Sequence, residues 1–377
     1  MSTRPSVQQV ADELKTSAER LQKYEEGTLV PTTAQYAGFQ SIYSVPDYIL
    51  ASEAQPSLRE AVVDLRQAVA TPLEISPKGW KAYFARANTA ELIDSLAQSL
   101  QISPSLARPK GITKSNVNRS YKDVQKLLNF DPSDSRWIAN PDLAFRYLRA
   151  KIENFGIYCF LVDAPAADFR GLFDRFSDRS SLILINKRTF KAKARLFTLA
   201  HELAHFLIEL EGASDPARVD HAAELACNQF ASNFLAPPNL IGNLYEKSNT
   251  EKSTRGVIAF ISSRCLLSQG AVAYRLKEDS LLSAAEYKVW YQANGLSAGY
   301  DGQLTAQELE LESEGSGGNW AYNVVTDLGS RPLQILQRAM KQGVIDTVHV
   351  AQIINARGLT QEKVFKTAKD RLSELGL

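Results

Sequence analysis

Histidine is scarce in this chain: four occur among 377 residues, alongside three cysteines and two methionines. The cysteines, Cys159, Cys227 and Cys265, are far apart, odd in number and free of Cys-x-x-Cys spacing. No disulfide framework is implied, a reducing compartment fits, and the three are read as packing residues. Charge of one sign is lacking too. Lys and Arg number 43 against 42 Asp and Glu, a formal net charge of +1, so no global field points to nucleic acid or a membrane surface. No apolar run approaches the length needed to span a bilayer, and the opening residues, MSTRPSVQQVADEL, lack the apolar core of a secretory leader. The expectation is a cytoplasmic protein without a membrane partner. At 44% hydrophobic and 23% charged residues the composition is that of a globular protein, long enough for two or three domains.

Against that scarcity, two histidines stand four apart in RLFTLAHELAHFLIEL, residues 195–210. Histidines at that spacing share one face of a helix, so His201 and His205 can reach a single zinc ion. Glu202 between them points to the open side of the metal, where it can take a proton from an activated water and pass it to a leaving amine. This His-Glu-x-x-His pattern is the zinc-peptidase signature. Reading the two histidines as satisfied core residues is weaker. Phe197, Leu199, Ala200, Leu203, Ala204, Phe206, Leu207 and Ile208 surround them with apolar groups, and two imidazoles and a carboxylate buried there need a compensating partner.

A catalytic zinc wants a third protein ligand. The helix stops near Gly212, and a second runs from about Val219 to Phe234, before Pro237-Pro238. In an antiparallel hairpin centred at residue 214 or 215, Glu224 stands level with His205 and Asn228 level with His201. Glu224 is the expected third ligand, and Asn228 could hydrogen-bond the outer nitrogen of a ligand histidine. His221, three residues before Glu224, is the competing ligand, or else a donor to the oxyanion of a tetrahedral intermediate.

Along the chain, residues 1–50 read as short helices in a truncated helix-turn-helix pattern. TSAERLQKYEEGTLVPT resembles phage-repressor-type helix-turn-helix domains, with Leu21 and Tyr24 at core positions and Ser17, Arg20, Gln22 and Lys23 as the exposed recognition residues. Such a domain has a further helix in front, and Glu25 and Glu26 follow the helix that would enter the groove, so protein contact is preferred to DNA binding. Residues 51–140 are helical in tendency (SLREAVVDLRQAVA, TAELIDSLAQSL, YKDVQKLLNF) and form a connecting region. Its cations, Arg108, Lys110, Lys114, Arg119, Lys122 and Lys126, read as a solvated loop, since no aromatic interleaving accompanies them. Residues 141–245 form the metal-site core, with strands IYCFLV, FRGLFDRF and SSLILIN between helices. Five cations from Lys187 to Arg195 precede the metal helix, the wrong sign for a helix N-terminus. They either reach solvent, the preferred reading, or receive an acidic substrate. Residues 246–300 form a helical module with a second helix-turn-helix-like half at 267–276. An acidic, Gly-rich linker or loop (301–329) and a C-terminal helical unit (330–377) with a lone structural histidine, His349, complete the chain. The fold class expected is α+β, mainly helical, with a zincin-like core flanked by helical domains.

LILIN, ARLFTLAHELAHFL and ELACNQFASNFLAPP together resemble the ImmA/IrrE family of zinc metallopeptidases over roughly Asp142 to Pro238. The resemblance implies one zinc ion per chain held by His201, His205 and Glu224, with Glu202 as catalytic base and Asn228 in the family's following asparagine position. It also implies limited proteolysis of a repressor of helix-turn-helix type, controlling stress-response or mobile-element genes. The alternative is a non-catalytic metal-sensing regulator or repressor-binding protein. Glu202 separates the two, because a sensor needs no general base beside its metal.

Overall fold

A computed structural model of the chain describes residues 6–43, 64–65, 75–176, 180–189, 191–208, 221–251, 253–294, 320–354 and 361–377. The N-terminal helices are α1 (Val7–Glu13), α2 (Ala18–Glu25) and α3 (Thr33–Tyr43). They share a small core of Val10, Leu14, Leu21, Phe39 and Ile42. Ser6 and Ser17 cap the first two helices, and Lys15 turns between them at φ 52. α3 is the helix expected after Pro31, and its expected end near VPDYIL lies outside the described residues.

A strand β1 (Asp64–Leu65) comes next, followed by the long helix α4 (Pro77–Ser99). The strand corrects the helical reading of SLREAVVDLRQAVA at those two residues, where pairing to a neighbouring strand overrides local propensity. In α4, Ser76 is the N-cap and Pro77 opens the first turn, where its missing N–H is no loss. Then come α5 (Tyr121–Leu128), α6 (Ser135–Ala139) and α7 (Pro141–Ile152), which a short 3₁₀ turn and Gly156 in the left-handed region carry into the sheet.

The sheet is completed by β2 (Ile157–Val162), β3 (Gly171–Arg175) and β4 (Ser181–Asn186), in the order β1-β3-β4-β2. β2 and β4 run parallel, and β3 is antiparallel to both β4 and β1. The unbroken apolar runs in β2 and β4 follow from burial on both faces. Ile157, Cys159, Leu161, Ile183 and Ile185 enter one core, and Tyr158, Phe160, Val162, Leu182 and Leu184 enter the other. Period-two alternation thus divides each strand between two cores rather than between core and water.

The first core is closed by α8 (Ala192–Ile208), α9 (His221–Leu235), α10 (Pro238–Lys247), α11 (Thr254–Ser262), α12 (Gln269–Glu278) and α13 (Ala284–Ala293). The second is closed by α4 with α14 (Trp320–Leu328), α15 (Ser330–Lys341), α16 (Thr347–Ile353) and α17 (Gln361–Glu374). The architecture is α+β: helices on both faces of a small mixed sheet. Two expectations change here. The last part of the segment read as linker, 320–328, is a buried helix, and the C-terminal helices form the sheet's second layer. Its apolar stripe, hidden behind the Gly-rich run, finds its partner in Tyr158, Phe160 and Val162 of the distant β2. Among the described residues no helix is long and apolar enough to cross a membrane.

Buried carboxylates stitch α4 to the sheet. Tyr83 donates to Asp174 at 2.9 Å, Tyr158 donates to Asp94 at 3.2 Å, and Ser76 donates to Asp168 at 2.6 Å. On the far side, Arg149 bonds the carbonyls of Cys159, Thr326 and Asp327, while Glu153 accepts from the Ser330 and Arg331 backbone N–H groups. This fixes the turn between α14 and α15 to the end of α7.

Candidate metal centre

The helix α8 passes between sheet and helices, and from Leu196 onward nearly every side chain is buried. Its last carbonyls are met by a cation, as Arg108 donates to the Leu207 carbonyl at 3.2 Å. At its other end four of the five cations do not simply reach solvent, while Lys191 is exposed. Lys187 pairs with Asp327 at 2.9 Å, Arg188 with Asp163 at 2.6 Å and Arg195 with Asp142 at 2.5 Å. Lys193 is half-buried, which lowers its pKa, and it donates to the Ser262 carbonyl. Acids from loops and helices distant in sequence offset the unfavourable charge at the helix start, which local reading of 187–195 could not anticipate.

His201 and His205 lie one turn apart on the face toward α9, with their Nε2 atoms 3.0 Å apart. α9 packs against α8 and brings Glu224 between them. Its Oε2 lies 3.3 Å from His201 Nε2 and its Oε1 lies 3.2 Å from His205 Nε2. Ligand atoms of the three residues all fall within 4.8 Å of one another. Both histidines are fully buried, whereas the Glu224 side chain keeps 18% of its surface exposed, so the cluster has an outlet on the Glu224 side.

Asn228, one turn beyond Glu224, has its Oδ1 3.1 Å from His201 Nδ1. An amide oxygen only accepts, so Nδ1 carries the proton and Nε2 of the neutral ring turns a lone pair toward the Glu224 carboxylate and His205. The His201 lone pair, His205 Nε2 and an anion converge in a largely buried site, where a cation among them would satisfy all three. The donor set therefore fits a metal ion, and two imidazoles with one carboxylate is a set used at catalytic centres.

Glu202, fully buried on the neighbouring face, lies against β3. A Cβ built on Gly171 would fall 2.3 Å from Glu202 Oε1 and 2.4 Å from Thr198 Cγ2. The sequence reading did not single out Gly171, although a lone glycine inside FRGLFDRF is the usual mark of a close approach. His221 opens α9, but its side chain lies outside the described residues. Cys227 is buried in the core and stands outside the converging group, and burial pushes the Cys159 and Cys265 thiols up, as inert packing residues require. His349 pairs with Asp346 at 2.8 Å on the surface, away from this centre.

A metallopeptidase-like domain is the class that this site and the matching family define. Residues 153–277, about a third of the chain, match a peptidase family model described as the IrrE N-terminal-like domain. That span runs from the end of α7 to α12 and includes every side chain of the cluster. Comparison with curated proteins and with solved structures finds no match.

Proposed function

We propose that the chain is a zinc-dependent endopeptidase that makes a limited cut in a partner protein, a transcriptional repressor of helix-turn-helix type. The observation that carries the reading is the convergence of His201 Nε2, His205 Nε2 and the Glu224 carboxylate with Glu202 next along the same helix. His201, His205 and Glu224 hold one zinc ion, and Asn228 keeps His201 in the tautomer that ligation requires. Bound zinc supplies Lewis acidity, which brings the pKa of a water near neutrality and polarises the scissile carbonyl.

The remaining chemistry belongs to the chain. Glu202 accepts the proton of the attacking water at its carboxylate, in a site dry enough to strengthen that hydrogen bond, and returns it to the leaving amine. Gly171 lets β3 lie against that carboxylate and so limits where it can point. His221, at the first turn of α9, donates to the developing oxyanion.

The repressor partner rests on the ImmA/IrrE resemblance. α1 to α3 serve protein contact in this reading rather than DNA: Lys23 is paired with Glu19 at 2.8 Å and Arg20 is bonded to Tyr24, with Glu25 and Glu26 exposed beside them. The test is to incubate the zinc-loaded protein with the helix-turn-helix repressor encoded nearest to it and sequence the products by mass spectrometry. One new N-terminus that is lost with a chelator is the expected result, and an intact repressor under zinc-replete conditions contradicts the reading.

A further inference from the structure

A cavity of about 460 Å³ opens between α7, the first turn of α8, α14 and α17. Four arginines line it: Arg146, Arg149, Arg195 and Arg371. Only one acid, Asp142, does. Three of the guanidinium groups have carboxylate partners: Arg195 with Asp142 at 2.5 Å, Arg146 with Glu374 at 3.1 Å and Arg149 with Glu153 at 3.4 Å. Arg371 has none among the described residues. It donates to Thr326 Oγ1 at 2.7 Å and to the Tyr322 hydroxyl at 3.5 Å, and its guanidinium stands 4.2 Å from the centre of the Tyr322 ring.

Arg371 is nonetheless only 9% exposed. A cation taken out of water without a counter-charge is costly, and hydroxyls and an aromatic face repay only part of that. Burial lowers the pKa of Arg371, and the positive charges of Arg146 and Arg149 add to this against the opposing influence of Tyr322 and the more distant Glu374. A second group is also unsatisfied. Arg195 Nε is buried without a hydrogen-bond partner, although the far end of the same guanidinium holds Asp142. Asp142, the one lining acid, and Glu374, the partner of Arg146, are each 58% exposed, so these carboxylates sit toward solvent while Arg371 lies inside.

The geometry points to a binding site for a small organic phosphate of about mononucleotide size, held by Arg371 and Arg195 with Arg146 at the mouth. A phosphate offers oxygens in several directions and up to two charges, which suits guanidinium groups arriving from different helices better than one planar carboxylate does. The volume lies in the range of small-molecule sites and exceeds what a bare anion fills. Phe145, Leu161, Val325 and Leu372 supply an apolar wall for the organic part. This assignment stands apart from the peptidase reading, since none of these side chains belongs to the metal centre. Arg195 does, however, lie on the helix that carries His201, two turns earlier, so an occupant would brace that helix against α17.

The test is calorimetric titration of the full chain with AMP, GMP and inorganic phosphate, repeated on R371Q and R146Q with circular dichroism to confirm folding. The expected result is that at least one nucleotide binds with a Kd below about 1 mM, about tenfold or more tighter than inorganic phosphate. A fall of about tenfold or more in a folded R371Q or R146Q variant is expected as well. Absence of binding by all three probes would overturn the assignment, as would unchanged affinity in both variants. Equal affinity for inorganic phosphate and nucleotide would overturn the organic part.

Discussion

A Cβ added to Gly171 would lie 2.3 Å from Oε1 of Glu202, so the strand and the helix can touch at this point only because that residue has no side chain. The contact couples the sheet to the group read as the catalytic base. Gly171→Ala is expected to leave the metal ligands in place and displace Glu202 by about 1 Å. A misplacement of that size costs on the order of 100-fold in turnover. Metal content and kcat measured on the same preparation check this: full metal loading with a large loss of kcat is expected.

Asn228 and His201 make a second testable pair, 3.1 Å apart. Removing the amide in Asn228→Ala releases the His201 tautomer and ring orientation, and such losses lower metal affinity roughly 10- to 100-fold. Asn228→Asp keeps an acceptor and is expected to retain most of the affinity. Competition against a zinc chelator of known affinity distinguishes the two.

Glu224 touches both imidazoles, at 3.3 Å and 3.2 Å, so Glu224→Ala is expected to abolish stoichiometric zinc binding. His221→Ala is expected to keep the metal and lose turnover. Thermal unfolding gives an independent readout, because zinc at about 100 times its Kd adds roughly 2.7 kcal/mol to a folded state that alone binds it. A chelator should lower the Tm of the parent and of His221→Ala and leave that of Glu224→Ala unchanged.

The turn between α14 and α15 offers a stability test remote from the metal. Glu153 is buried, accepts from Ser330 and Arg331 and faces Arg149, and a Cβ on Gly329, whose φ is +83, would fall 2.0 Å from its Oε1. Breaking a buried pair by removing one partner typically costs about 3–5 kcal/mol. Glu153→Leu is expected to lose stability on that scale in urea titrations, and Gly329→Ala to lose it through both clash and backbone strain. A loss under about 1 kcal/mol in both variants would contradict the account of this turn.

The helix spacing made the meeting of His201 and His205 legible in the sequence, because four residues along a helix can only share a face. Counting outward from the loop brought Glu224 and Asn228 to the heights at which they are found, although residues 209–220 themselves lie outside the described part. Of the three longer strands, β2 and β4 were legible as apolar runs and β3 as a strand-like segment, FRGLFDRF. Their burial on both faces is completed by a second helical layer, α4 with the C-terminal helices. That identity could not be read, since nothing local in 320–377 points to a sheet more than a hundred residues away. The pairing of Asp64–Leu65 with β3 left no signal either, as two residues carry no period and their neighbourhood alternates as a helix would. The partners of the cations at 187–195 were hidden for the same reason: Asp142, Asp163 and Asp327 come from three different parts of the chain.

The central claim is that Glu202 moves the proton for bond cleavage at a metal held by its neighbours. Glu202→Gln keeps the shape of the side chain and removes its basicity. Zinc content and the rate of repressor cleavage, measured together on this variant and on the parent chain, test the claim most directly. The account predicts one zinc per chain in both and cleavage only in the parent. Undiminished cleavage by a fully loaded Glu202→Gln would contradict it.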